Sequence, residues 1–220
     1  MNVDKFLELF RFRASDEAKP YLWGDEELLS YLNEAEREAC RRGRLLIDST
    51  TADYCQIAVV ADTTSYSLNE KVIFIRRAKL ALETLPLSQK SYKDLDREAS
   101  GWDDESSSTP LCFMTDWETG KLTLYPPPDT SDTLNLRVIR LPTEDMNDGD
   151  DTPEINVRYH ESLIEWMRYR AYDKDDEEAK DEKKSLKALA LFEQEFGQKS
   201  AAINEEWQHR EHFDELDGEF

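Results

Sequence analysis

One continuous helical pattern, from Trp23 to Asp48, constrains the fold of this chain more than any other feature. Small and apolar residues recur there at intervals of three and four, the spacing that places side chains on one face of a helix. They are Leu28, Leu32, Ala35, Ala39 and Leu46. Acidic residues fill the first turn and arginines the last turns, as the helix dipole favours, and Gly24 or Asp25 can serve as the N-cap. We therefore predict a helix that extends to about residue 47.

Further helices are predicted near both ends of the chain. Residues 3–12 place Phe6 and Phe10 on one face of a short helix. Residues 155–172 carry an apolar stripe that also includes His160, and residues 181–196 carry a second one. Gly197 follows the last of these stripes, and glycine commonly ends helices. The chain therefore has helical segments before and after its central region.

The central region has the composition and spacing of β-strands. Its segments are short and rich in Val, Ile, Tyr and Thr. The clearest hairpin lies on either side of the turn at residues 118–120, and residues 133–141 place Leu134, Leu136 and Val138 on one face. A short helix is predicted where Ser91 precedes Asp94, as in a capping box. Because the turns between strands are short, we expect antiparallel pairing.

This order of elements predicts an α+β fold. We expect the N- and C-terminal helices to pack as an α-helical bundle, formed by residues 1–49 and 152–197. An antiparallel β lobe, residues 50–151, is then inserted between them. Residues 198–220 are polar with isolated aromatic side chains, and we interpret them as a C-terminal tail that acts as a docking arm.

The charge of the chain restricts its partners. A net charge of -21 over 220 residues argues against binding to the outside of nucleic acid or to an anionic membrane, because both require Lys and Arg. No segment approaches the roughly 18 apolar residues of a membrane span. Cys40, Cys55 and Cys112 lack CxxC spacing, which is typical of free thiols in a reducing cytoplasm. The opening residues are amphipathic and do not resemble a signal peptide. The acidity serves either solubility or the lining of a surface that DNA passes.

A search for catalytic and metal-binding patterns gives only weak candidates. GxSxG, HExxH and phosphate-binding glycine loops are absent from the sequence. The pair Glu34 and Glu38 has helical spacing, but chance pairs are abundant among 49 acidic residues. His209 and His212 lack a third ligand, and the acidic loop 144–151 lacks EF-hand spacing. We expect no enzyme activity, cofactor or metal, and we expect His160 to be a core or interface histidine.

Two groups of residues allow two interpretations each. Trp102, Trp117 and Tyr125 are either a stacking platform for sugars or bases, or ordinary core and interface aromatics. The basic group at the end of the long helix either meets an acidic neighbouring subunit or compensates the helix dipole. That group consists of Arg41, Arg42 and Arg44.

Several segments resemble, in the same order, the phage head-tail adaptor (connector) proteins of short-tailed and related phages. They are LWGDEELLSYLNEAEREACRRGRLLID, CQIAVVADTTSYSLNEKVIFIRRAKL, GW at 101–102, TPLCFMTDWETGKLTLYPPP, LRVIRLPTEDM, DDTPEINVRYHESLIEWMRYRAYDKDD and FEQEFG. The similarity covers roughly residues 5–197. It therefore leaves the tail outside the clear pattern.

The resemblance implies a virion structural protein, assembled in the host cytoplasm and located at the head-tail interface. Twelve copies would form a ring below the portal, contact the tail tube or nozzle, and continue the channel through which DNA passes without specific binding. Subunit or portal contacts are then expected at Arg41, Arg42, Arg44, Trp207, Phe213 and Phe220. Channel-facing acids are expected at Asp173, Asp175, Asp176, Glu177 and Glu178. No membrane contact is expected.

Two other functions remain open from the sequence. The chain could be a distal tail or neck component, which would be present in six or three copies. It could also be a connector with cell-wall hydrolase activity, since carboxylate pairs such as Glu34 and Glu38 can hydrolyse glycosidic bonds.

Overall fold

The computed structural model describes residues 1–99, 101–176 and 179–199, which form two compact units. The helical unit contains Met1–Leu46 and the described residues from Leu141 to Lys199. The β unit contains Ile47–Arg140. The sequence prediction of a mixed α+β fold is therefore confirmed.

Along the chain, two helices come first, a block made mostly of strands follows, and two further helices end the described residues. The helices are α1 Val3–Ala14, α2 Asp25–Gly43, α3 Ala52–Cys55, α4 Tyr92–Glu98, α5 His160–Asp173 and α6 Glu182–Phe196. The strands are β1 Leu46–Asp48, β2 Gln56–Val59, β3 Ser65–Ser67, β4 Val72–Leu80, β5 Ser88–Gln89, β6 Cys112–Met114, β7 Lys121–Tyr125 and β8 Asp132–Arg140. Short 3₁₀ helices lie at Trp102–Asp104 and Val157–Tyr159.

The helical unit is organised around α5, which packs against α1, α2 and α6. Its core includes the predicted apolar face of α2, and Leu28, Leu32, Ala35 and Ala39 are fully buried. Trp23 closes this core: its indole N–H donates to the carbonyl oxygen of Ala171 at 3.2 Å. Burial of this apolar face supplies most of the stability that the isolated helix lacks.

The end of α2 differs from the sequence prediction. The helix stops at Gly43, and Arg44 adopts a left-handed conformation with φ of +50°. Leu46–Asp48 then form strand β1, so the helical extension to residue 47 was wrong. A left-handed residue cannot continue a right-handed helix, and the apolar residues beyond it belong to a sheet. Local periodicity alone does not distinguish these two outcomes.

Capping residues fix two helix boundaries where the sequence placed them. Ser91 and Asp94 form a capping box at the start of α4, with the side chain of each accepting a backbone N–H of the other. At the end of α6, Gly197 has φ of +87°, and its N–H donates to the carbonyl of Glu193. Both predictions are confirmed.

The β unit contains two four-stranded sheets. In the first, β8 pairs antiparallel with β2 and β4, and β1 also belongs to this sheet. The second sheet has the order β3-β7-β6-β5. Leu134, Leu136 and Val138 of β8 share one buried core with Leu122 and Leu124 of β7. The alternation predicted for the last strand is therefore confirmed.

Strand pairing in the second sheet is mixed. The predicted hairpin is present as β6 and β7, with Cys112 opposite Tyr125. By contrast, β5 runs parallel to β6, with Ser88 opposite Cys112, which is an exception to the expected antiparallel pairing. A parallel pair needs a long crossover connection, and α4 with its following loop supplies it.

Candidate functional site

Arg42 of the predicted basic group is held inside the helical unit. Its side chain is only 5% exposed, and it forms ion pairs with Glu38 at 3.0 Å and Glu193 at 3.6 Å. Its guanidinium also lies over the rings of Trp166 and Phe192, at 5.0 and 5.4 Å from their centroids. Arg42 thus joins α2 to α5 and α6. The sequence offered only a subunit contact or compensation of the helix dipole for this group, and it did not predict this packing of Arg42 between helices.

The other two arginines of this group lie closer to the surface. Arg41 is 3.8 Å from Glu38 and its side chain is about one-third exposed. Arg44 forms the left-handed C-cap of α2 and is half-buried. The structure therefore separates the group into one internal arginine and two that reach the surface. Their subunit or portal contacts stay predictions.

Among the predicted channel-facing acids, Asp173 ends α5, and Asp175 and Asp176 follow it. Asp173, Asp175 and Asp176 are exposed, and Asp175 pairs with Lys180 at 2.8 Å. Glu177 and Glu178 lie outside the described residues, as do the tail residues Trp207, Phe213 and Phe220. This segment presents carboxylates at the surface of the helical unit, but its orientation towards a channel stays a prediction.

The carboxylate pair considered for hydrolysis is occupied by arginines. Glu34 accepts from Arg170 at 3.0 Å, and Glu38 is paired with Arg41 and Arg42. Both carboxylates are thus held in ion pairs by arginines of the helical unit. The geometry around this pair therefore does not favour glycosidase chemistry.

Two polar residues on the buried face of α2 hold the loop that follows β8. The Asn33 side chain donates to the carbonyl of Met146 and accepts its N–H, both at 2.9 Å. One oxygen of Glu36 accepts the N–H groups of Glu154 at 2.5 Å and Ile155 at 3.2 Å. The sequence pattern did not predict this role. Its signal was present, because Asn33 and Glu36 interrupt an otherwise apolar helical face.

Glu36 is a buried carboxyl group on the inner face of α2. It is only 2% exposed. Burial raises the pKa of Glu36 to about 7, and the N–H donors of Ile155 and Glu154 offset that effect only in part. A raised pKa is a feature of general acids, but this carboxyl is enclosed by the loop it binds. We assign it a structural role.

Two carboxylates of the acidic loop 144–151 make contacts within the helical unit. Asp151 accepts the N–H groups of Asn147 and Asp148, and these bonds lower its pKa. Asp145 pairs with Arg37 at 2.6 Å. Within the described residues, no group of three or more His, Cys, Asp or Glu side chains is placed to hold a metal. His209 and His212 lie outside those residues.

His160 is buried at the start of α5, where the sequence placed a core histidine. Its Nε2 is 3.0 Å from the carbonyl of Ile155, and its Nδ1 is 3.0 Å from the amino group of Met1. These partners assign the proton to Nε2, which donates, while Nδ1 accepts. Burial lowers the pKa of His160, so the ring is neutral near pH 7. Its expected role is confirmed.

The structure brings the three candidate stacking aromatics together. The Trp102 ring centroid lies 5.1 Å from that of Trp117 and 6.0 Å from that of Tyr125, in edge-to-face geometry. Trp102 is buried, and its N–H donates to Asp96 at 2.8 Å. Edge-to-face packing around a buried ring is typical of a small core. Only Trp117 presents about half of its surface.

The β unit also carries the most exposed leucines of the described residues. Leu82, Leu85 and Leu111 are between 68 and 76% exposed. The loops that hold them are linked, because the N–H of Ser88 donates to the carbonyl of Leu111. We call these three residues the leucine patch. Exposed apolar side chains on neighbouring segments commonly mark a contact surface.

Comparison with protein families decides the class of this protein. Residues 1–213 match the family described as SU10 adaptor protein. The chain belongs to that family. The adaptor is thus a bacteriophage structural protein, as its resemblance to head-tail adaptors implied. A search among curated proteins found no match. Within residues 1–99, 101–176 and 179–199, no helix of the adaptor is both long and apolar enough to span a bilayer.

Proposed function

We propose that twelve copies of this adaptor form a ring below the portal, join the capsid vertex to the tail, and continue the DNA channel. The helical unit forms the body of the ring, and the β unit contacts tail tube or nozzle proteins. The observation that carries this proposal is the match of residues 1–213 to the adaptor family. In this role the protein is structural and performs no catalysis.

The charge of the chain supports a channel function. At -21 per copy, a ring of twelve presents a strongly negative lumen that repels DNA phosphates. DNA then slides during ejection without binding to the wall. We place the exposed carboxylates of Asp173, Asp175 and Asp176, together with Glu177 and Glu178, along this wall. Replacing them by Asn and Gln is expected to slow ejection while leaving the ring intact.

Surface features support contacts between copies and with other virion proteins. A ring requires two different faces that meet repeatedly, and each must exclude water to be stable. The leucine patch provides an apolar contact for a tail component. Arg41 and Arg44 provide positive charge for an acidic neighbouring copy, and Arg42 holds the helix end that carries them. The aromatic residues Trp207, Phe213 and Phe220 of the docking arm contact a neighbouring copy or the portal.

The first test is the mass of the full chain, measured by size exclusion with light scattering, alone and with purified portal rings from the same phage. We expect a monomer alone and about twelve copies bound to each portal ring. If the chain does not bind to the portal rings, the proposed position below the portal is contradicted. Three or six copies per complex instead indicate a distal tail component.

A further inference from the structure

The outer face of α6 has the composition of a contact surface. Six exposed residues follow one another at helical spacing along it: Lys183, Leu186, Lys187, Ala190, Leu191 and Gln194. The opposite face of the helix packs into the core through Ala188, Phe192 and Phe196. The helix therefore has apolar residues on both sides, a pattern typical of helices that are covered on both sides.

The charge of this outer face differs from that of the rest of the chain. None of its six residues is acidic, although the chain has 49 acidic residues. Lys184 of the same helix pairs with Asp181, whereas Lys183 and Lys187 form no ion pair with any described residue. Leu186 and Leu191 lie beside them and are 58 and 41% exposed. The face thus combines apolar surface with unneutralised positive charge.

The terminal segment of the chain has the complementary composition. Residues 200–220 contain seven carboxylate side chains and one arginine, and their large apolar side chains are Ile203, Trp207, Phe213, Leu216 and Phe220. This segment lies outside the described residues and begins three residues after Gly197. Its 21 residues are long enough to cover the 15 residues of α6, which span about 22 Å.

We infer that the outer face of α6 binds residues 200–220 of an adjacent copy. This inference rests on the proposed ring, because it assigns one of the contacts that link its copies. Leucines of α6 receive the apolar side chains of the segment, and Lys183 and Lys187 pair with its carboxylates. The segment then has a neighbouring copy, not the portal, as its binding partner.

Site-specific crosslinking with two isotopic forms of the full chain tests the inference. One batch carries a photo-crosslinking phenylalanine analogue at Leu186, and the other is ¹⁵N-labelled and unmodified. The two are mixed, assembled with portal rings, irradiated and digested for mass spectrometry. We expect position 186 to link to ¹⁵N-labelled peptides from residues 200–220. The same analogue at Leu85 is the control and should not capture this segment.

Each other outcome overturns the inference in a different way. Links only to unlabelled terminal peptides indicate that the segment covers α6 of its own copy. Links to portal peptides, or rings that form without any link to residues 200–220, assign another occupant to the face. If the chain forms no ring with the portal, the proposed function is contradicted, and the inference, which depends on that ring, is contradicted as well.

A charge exchange supplies an independent measurement. Lys183→Glu with Lys187→Glu is expected to weaken ring assembly roughly threefold to tenfold, because two exposed ion pairs are lost. Adding Glu205→Lys with Glu206→Lys should restore assembly, since the opposite charges face each other again. The assignment is contradicted if the Lys183→Glu, Lys187→Glu variant assembles into rings at the same protein concentration as the wild type. It is also contradicted if adding Glu205→Lys and Glu206→Lys does not restore assembly.

Discussion

Asp48 and Arg140 join the first and last strands of the β unit through a buried ion pair. The Nε of Arg140 donates to Oδ2 of Asp48 at 2.9 Å, and both side chains are at most 10% exposed. The other oxygen of Asp48 accepts the N–H groups of Thr50 and Thr51. One carboxylate thus fixes a strand end, a turn and the arginine that ends β8.

Removal of this carboxylate is expected to destabilise the β unit. Asp48→Ala leaves Arg140 and two backbone N–H groups without their acceptor, so we expect a loss of about 3–5 kcal/mol in the free energy of unfolding. Chemical denaturation followed by circular dichroism measures it. The exposed Asp103→Ala is the control and should change stability by less than about 0.5 kcal/mol. Equal effects of both variants would contradict the role of Asp48.

The same carboxylate makes stability sensitive to acid. Burial raises the pKa of Asp48, but the hydrogen bonds from Thr50, Thr51 and Arg140 outweigh burial and hold the pKa below its usual range. Its contribution to stability is therefore complete above about pH 4 and is lost as the pH falls further. Asp48→Ala should accordingly show a weaker fall in melting temperature below pH 4 than the wild type.

Glu36 has the opposite pH dependence. The Glu36 carboxyl has a pKa of about 7 in the folded state and ionises near pH 4.5 in the unfolded chain. Between these values the folded state keeps a proton that the unfolded chain has lost, so stability falls as the pH rises from about 4.5 to 7. Glu36→Gln keeps an acceptor for the two N–H groups and carries no charge. We expect it to match the wild type near pH 4.5 and to exceed it by about 3 kcal/mol at pH 8.

Melting temperatures across this pH range test the role of Glu36. The exposed Glu144→Gln, in the loop that Glu36 and Asn33 hold, is the control and should parallel the wild type at every pH. If Glu36→Gln also runs parallel to the wild type, the carboxyl is not titrating inside the folded unit.

Arg42 is expected to stabilise the helical unit far more than its neighbours on α2. Arg42→Ala removes the contacts with Trp166 and Phe192 and leaves Glu38 and Glu193 without this partner, so we expect a loss of roughly 2–4 kcal/mol. Arg37→Ala breaks a more exposed pair with Asp145 and should cost less than about 1 kcal/mol. Urea titration of both variants measures the difference. A smaller loss for Arg42→Ala than for Arg37→Ala would refute this assignment.

The leucine patch is expected to affect assembly without affecting folding. Leu82→Ser with Leu85→Ser changes two side chains that are about three-quarters exposed, so stability should stay within about 0.5 kcal/mol. Incorporation into phage particles should fall, because an apolar contact is lost. Val157→Ser, at an exposed site of the helical unit, is the matched control. Normal incorporation of the double variant would exclude the patch as a contact.

Local sequence signals predicted the regular elements well. The apolar spacing in α2 and α5 and the alternation in β8 correspond to buried faces in the structure. In α6 the predicted apolar stripe is only partly buried: Phe192 and Phe196 lie in the core, whereas Leu186 of the same stripe is exposed. The capping box at Ser91 and the stop at Gly197 also lie where the sequence placed them. These features depend on residues within a few positions along the chain, so the local sequence is enough to predict them.

Features that depend on partners far away in the sequence could not be predicted from the local sequence. The switch from helix to strand after Arg44 is decided by a sheet whose other strands lie ten or more residues further on. The parallel pairing of β5 with β6 and the roles of Asn33 and Glu36 depend on segments separated by about 24 to 119 residues.

The sequence by itself determined the class of fold, the positions of its principal helices and strands, and the adaptor family. These follow from periodicity, capping chemistry and the order of segments. Only the tertiary structure decided which charges are internal. Arg42 and Asp48 are buried in ion pairs while Lys183 and Lys187 remain at the surface, because burial depends on which distant side chains fold around each residue.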